Sequence, residues 1–145
     1  AERMLNNKNS GAQISNLNFN QHKKQHLFRA ALEGIAFSFV YGIDILKNDG
    51  VNLSAIRAGN DNLFRSEIFS TTIATLVDTD INIIDTTGAV GAARAAGISA
   101  GDFKTFDEAF SDNEHIITFY PSNDKKVFSE FYEIWKQDLE NKYNK

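Results

Sequence analysis

Ser54-Ala55-Ile56-Arg57-Ala58-Gly59-Asn60-Asp61-Asn62 is the turning point of this chain. Ser54 to Ala58 reads as a short strand. The Gly-Asn-Asp-Asn run after it consists of residues that tolerate positive φ, which predicts a tight loop at the strand's carboxyl end. Ser66 is a good helix N-cap with Glu67 favourable in the first turn, and Ile68, Phe69, Ile73, Leu76 and Val77 carry helical spacing to about Val77. Asp80 to Asp85 reads as a second strand. Two strands separated by a helix predict a parallel pair with a right-handed crossover, and such sheets bind ligands beyond the carboxyl ends of their strands. Gly59 to Asn62 is the expected ligand rim.

On the N-terminal side, Lys24 to Lys47 reads as one long helix. Leu27, Ala30, Ala31, Ile35, Phe37, Phe39, Val40, Ile43 and Leu46 cover more than one of its faces, which predicts a buried helix. Gly50 is placed to take the left-handed cap after it. Before it, Ile14, Leu17 and Phe19 alternate weakly, as an edge strand or a loop would. On the C-terminal side, Thr87 caps a Gly- and Ala-rich helix from Gly88 to about Ala100. Each interior Gly costs about 0.8–1.0 kcal/mol against Ala there, so close approach of another backbone is expected to offset it. Thr105 to Phe110 predicts a short helix. After Pro121, Ser122 or Asn123 caps a last amphipathic helix to about Asn141, striped by Val127, Phe128, Phe131, Ile134, Trp135 and Leu139.

Composition narrows the classes. The 145 residues are 42% hydrophobic and include 12 Phe, enough for one packed domain. With no Cys, disulfides, thiolate metal sites and Cys nucleophiles are excluded. A net charge of −4 argues against nucleic-acid and anionic-membrane surfaces, and no apolar run reaches a membrane span. A cytoplasmic location is expected. The opening Ala1-Glu2-Arg3-Met4 reads as a cut from a longer protein.

Individual polar groups point mostly to structure. Arg29 and Glu33, four apart, are expected to pair and anchor their helix under the sheet. His22 and His26 share zinc-like spacing, but no glutamate follows His22 and His115 is remote, so no metal site is expected. His22 is expected to hydrogen-bond locally or to face an absent part of the cleft. Asp78, Asp80 and Asp85 read as solvated boundaries, and Trp135 with its aromatic neighbours as core.

Three segments in order carry a resemblance. Leu27-Phe28-Arg29-Ala30-Ala31-Leu32-Glu33-Gly34-Ile35-Ala36 resembles the "RAxxEGIA" helix of the FGGY carbohydrate kinases, most closely their xylulokinase branch. The strand and loop from Ile56 to Asn62 follow, and Gly88 to Gly97 resembles that family's "alGAAxxAxxG" helix. Tyr120-Pro121 and the aromatic tail helix fit its closing segment. The resemblance covers essentially the whole chain. It implies an α/β fragment with the ribonuclease H-like, actin-like ATPase fold, a short partly parallel sheet and packed helices, from the second domain of a two-domain sugar kinase. Residues 1–21 would be an edge segment, 22–103 the motif-bearing core and 104–145 a helical tail. By the same resemblance Ala58, Gly59, Asn60, Asp61, Asn62 and Phe64 would bind the adenosine of ATP. They depart from the family's usual three consecutive glycines followed by Ala or Ser.

The resemblance further implies ATP and Mg as requirements of the intact enzyme, with nothing tightly bound by this fragment, and a sugar substrate, D-xylulose. The partner would be an N-terminal domain carrying the phosphate loop and the catalytic Asp, neither of which has a match here. Oligomeric state is left open, a homodimer included. The rival reading is a non-catalytic nucleotide-binding or assembly module of the same superfamily.

Overall fold

The fold was obtained as a computed structural model, and it describes residues 5, 7, 8, 11–111 and 114–143. The expected strand and helix around the turning point both form: β1 (Ile56–Gly59), then a 3₁₀ turn (Asn62–Arg65), α2 (Glu67–Val77) and β2 (Ile81–Ile84). β1 and β2 pair in parallel, Ile56 opposite Ile81 and Gly59 opposite Ile84. The Ser66 hydroxyl accepts from the Phe69 amide at the start of α2.

A third strand was not anticipated from the sequence. β3 (His115–Phe119) runs antiparallel to β2, which makes the sheet mixed, in the order β1-β2-β3. Its His-Ile-Ile-Thr-Phe run is too short to show a period, and one strand edge of β2 was free to take it. Around the sheet lie α1 (Lys24–Asn48), α3 (Gly88–Ala100), α4 (Phe106–Phe110) and α5 (Lys125–Tyr143). Ile14, Leu17 and Phe19 sit in a loop, and the first four residues lie outside the described part.

α2 is the hub. Phe69, Ile73, Ala74 and Val77 are buried, as are the hydroxyl residues Ser70, Thr72 and Thr75. Each of these three hydroxyls has a partner: Ser70 donates to the Phe64 carbonyl (2.9 Å), Thr72 to Ile68 (2.7 Å) and Thr75 to Thr71 (2.6 Å). Such pairing removes the penalty of burying polar groups. α1 packs chiefly on α2 and then on α5.

Two expectations fail here. α1 is not buried in this chain: only Ala36, Phe37 and Val40 are enclosed, and Phe28, Ile35, Phe39 and Leu46 are exposed. It packs on helices rather than under the sheet, and the Arg29–Glu33 pair (2.8 Å) sits at its surface, where it contributes a few tenths of a kcal/mol. α3 buries no residue, and a Cβ at Gly88 or Gly91 would meet open space. Its small side chains therefore do not serve a close helix contact. Only Gly97 is crowded, 3.0 Å from the Phe103 ring.

α1 and α5 are joined by an aromatic layer in which Trp135 lies 6.0 Å from Phe37 and 6.1 Å from Tyr132. Within it the buried Tyr132 hydroxyl donates to Asp44 at 2.6 Å. Burial, then the Asp44 carboxylate, pushes the Tyr132 phenol above the usual tyrosine range. An unfolded tyrosine ionises near pH 10. The stabilisation is therefore complete below that pH and is lost as pH rises through the folded value. Tyr132→Phe is expected to cost about 1–3 kcal/mol at neutral pH. It should also flatten the fall of unfolding free energy above pH 10, as read by urea unfolding across that range.

Candidate functional site

Gly59 ends β1 against the backbone of Thr86, the second residue past β2. A Cβ at Gly59 would lie 2.5 Å from the Thr86 carbonyl oxygen, a distance side chains do not occupy, so glycine is required by space. The Asn60 amide then donates to the carbonyls of both Ile84 and Thr86, each at 3.1 Å. The two strand ends are thereby tied together. Asn62 takes the left-handed conformation at φ 52, which reverses the chain into the 3₁₀ turn.

Beyond this bend opens a cleft of about 440 Å³, within the size range of small-molecule sites. Ala58, Gly59, Asp61, Asn62 and Phe64 line it, together with Arg57, Leu63, Phe39, Phe69 and Gly88. Of the six residues expected at the site, five share this cleft. Asn60 is the exception, its amide being spent on the strand-end tie. Phe64 packs edge-on to Phe39 (5.8 Å) and Phe69 (5.2 Å), which holds the aromatic wall rigid.

Arg57 and Phe39 were not anticipated. Among the described residues, Arg57 carries the only positive charge on the cleft lining, and its place on β1 follows from the strand expected over Ser54 to Ala58. Phe39 comes from α1, so nothing near the loop in sequence announces it. Gly88 brings the start of α3 to the rim, where the Thr87 hydroxyl accepts from the Val90 amide. The Thr86 hydroxyl, buried between these elements, has no hydrogen-bond partner among the described residues.

A second basin of similar volume lies at the opposite, amino ends of the strands, around Ser54, Ala55, Asp78, Thr79, Asp80 and Asn82. Asp78 is already paired there with Lys125 at 2.9 Å. The strand ends that gather ligands in such sheets are the carboxyl ones, so the cleft at Gly59 is the candidate site.

His22 and His26 each accept a backbone N–H through Nδ1, from Asn18 (3.0 Å) and Lys23 (3.1 Å). Both rings are therefore engaged locally through Nδ1, His26 with the N-cap of α1 and His22 with the turn before it. Among the described residues no three acidic or histidine side chains converge to hold a metal ion. These residues do not make a magnesium site. No helix is long and apolar enough to cross a membrane.

No family model matches the chain. The glycerol kinase of Vibrio vulnificus is 32% identical over 120 residues, covering 77% of this chain and 23% of that protein. The glycerol kinase of Coxiella burnetii is 30% identical over 125 residues, 81% of this chain and 24% of its own length. Among solved structures, a xylulose kinase from Rhodospirillum rubrum superposes with a TM-score of 0.71 at 23% identity, covering 90% of this chain and 28% of that one. One from Lactobacillus acidophilus gives 0.68 at 16%, covering 87% and 26%. At those identities the superpositions establish the fold, an α/β actin-like ATPase fold. The chain belongs to the FGGY carbohydrate kinases and corresponds to their C-terminal-like domain. It spans about a quarter of the length of the curated relatives it matches.

Two substitutions probe the bend. Gly59→Ala must displace either the loop or Thr86, and is expected to cost about 1–3 kcal/mol in denaturant unfolding. Asn62→Val should lose about 1–2 kcal/mol from its left-handed conformation, while Asn62→Gly should be close to neutral in the same assay.

Proposed function

We propose that this chain forms the adenosine-side wall of the nucleotide cleft in an ATP-dependent sugar kinase. The observation that carries the reading is the open cleft beside Gly59, at the carboxyl ends of two parallel strands, in a chain belonging to a carbohydrate kinase family. Ala58 and Gly59 present bare backbone to which a flat base can approach closely. Asp61 and Asn62 offer hydrogen-bonding groups for base or ribose, and Phe64 and Phe39 give an apolar wall. Arg57 stands where it can attract the phosphate chain.

In the whole enzyme the γ-phosphorus of ATP forms a bond to a sugar hydroxyl oxygen as its bond to the β–γ bridging oxygen breaks, leaving ADP. The hydroxyl proton passes to a carboxylate supplied from outside this sequence. The magnesium that kinase relatives imply would be bound by residues outside this sequence. What this chain contributes is positioning, which is most of what phosphoryl transfer asks of a protein. D-xylulose is proposed as the sugar because Leu27–Ala36 resembles the xylulokinase branch of the family. The enzyme works in the cytoplasm, where ATP is available.

The test is nucleotide titration of the full polypeptide by calorimetry. ATP should bind, and Gly59→Ala should weaken it about tenfold while leaving sugar affinity within twofold. A coupled ADP-release assay should favour D-xylulose over glycerol. Failure of ATP to bind in the presence of sugar would sink the kinase reading in favour of a non-catalytic module, whereas turnover of glycerol alone would change only the substrate.

A further inference from the structure

The cleft beside Gly59 holds two opposite charges that do not meet. Arg57 and Asp61 both line it, two residues before and two residues after the glycine. Among the described residues, neither side chain makes an ion pair or a hydrogen bond. Asp61 stands at the N-cap of the 3₁₀ turn, where an aspartate carboxylate ordinarily accepts an amide of the first turn, yet it accepts none. Its Oδ1 lies instead 3.5 Å from the point that a Gly59 Cβ would occupy, over the bare backbone of the bend. The residue is half-buried, so its carboxylate is partly stripped of water. An ionised carboxylate accepts hydrogen bonds and donates none.

A nucleotide entering this cleft brings several negative charges, which Arg57 attracts and Asp61 opposes. A carboxylate in that position is offset only where the ligand turns hydrogen-bond donors toward it. Ribose provides them: its 2′- and 3′-hydroxyls are adjacent donors on an uncharged part of the molecule, and one carboxylate can accept from both. In dinucleotide-binding sheets, too, an acidic residue takes the ribose 2′-hydroxyl. The hydrogen-bonding edge of adenine suits a carboxylate poorly, because its amino donor sits beside a ring-nitrogen acceptor. Phe39 and Phe64, packed edge to face, give the base an apolar wall instead. An unpaired guanidinium and an unpaired carboxylate held apart in one cleft thus match the two sides of a ribose phosphate.

We infer that Asp61 selects ribonucleotides, its carboxylate accepting from the 2′- and 3′-hydroxyls of the bound ribose. The inference rests on the nucleotide reading of the cleft, and it can fail while that reading stands. Calorimetric titration of the full polypeptide with ATP, 2′-deoxyATP and GTP tests it, in the unsubstituted protein and in Asp61→Ala and Asp61→Asn. The unsubstituted protein should bind ATP about tenfold more tightly than 2′-deoxyATP, the loss expected for a hydroxyl bonded to a charged group. Asp61→Ala should weaken ATP and bring the two nucleotides within about twofold of each other. Asp61→Asn keeps the shape and one acceptor, and its ratio should fall between; it serves equally should the alanine variant fail to fold. Equal affinity for ATP and 2′-deoxyATP in the unsubstituted protein would overturn the inference with no variant needed. So would a ratio that survives in Asp61→Ala, or tighter ATP binding there, which would leave Asp61 as an opposing charge alone. A preference for GTP over ATP that vanishes in Asp61→Ala would also overturn it, assigning the carboxylate to the two adjacent donors of guanine. In each of those outcomes nucleotide still binds; absence of binding by all three would sink the reading of the cleft and this inference together.

Discussion

The molecule is organised around a contact that admits no side chain. Gly59 rests against the Thr86 carbonyl so closely that a methyl group would collide with it. The next amide bridges two carbonyls from the neighbouring strand's exit. That tie fixes where β1 stops, where the chain turns at Asn62 and where α3 begins. The cleft is the space left over once those three are set. Its dimensions therefore follow from backbone geometry more than from the chemistry of its lining, and this explains how a loop with one glycine in place of three keeps an open concavity.

Behind the tie stands α2, a helix enclosed on nearly every side by α1, α5 and the sheet. Enclosure of that kind usually demands an apolar sequence. Here three of its buried residues carry hydroxyls, and each is satisfied within a few residues, so the helix can be central without being greasy. Thr75 also accepts the Ser122 amide, which locks the entry to α5 onto the same hub. α5 in turn reaches α1 through Tyr132, Trp135 and Asp44.

Much of this was legible before any coordinates, because it is written in local signals. Ser66 and Thr87 cap the helices they were expected to cap, and Gly50 takes its positive φ after α1. The bend was readable because Gly, Asn and Asp have conformations that other residues avoid. What escaped were facts about neighbours. β3 has no period to betray it and exists because β2 offers an edge. The count of apolar residues on α1 was sound, but a sequence records that a face is apolar without recording who covers it. α3 was misread for a related reason: small residues permit close packing and do not compel it. Phe39 belongs to the cleft by tertiary placement, some twenty residues from the loop it faces.

That last helix has a consequence for how the protein can change. With nothing fully enclosed along its thirteen residues, α3 is held by its first turn, by Phe103 and by its contact with α4, where Arg94 lies over the Phe110 ring. Positions such as Ala92, Ala93 and Ala96 answer to water alone. Drift in sequence should therefore accumulate there at little cost, and larger side chains could be grafted onto that outer surface, whereas at Gly59 even a methyl group has to displace its neighbours.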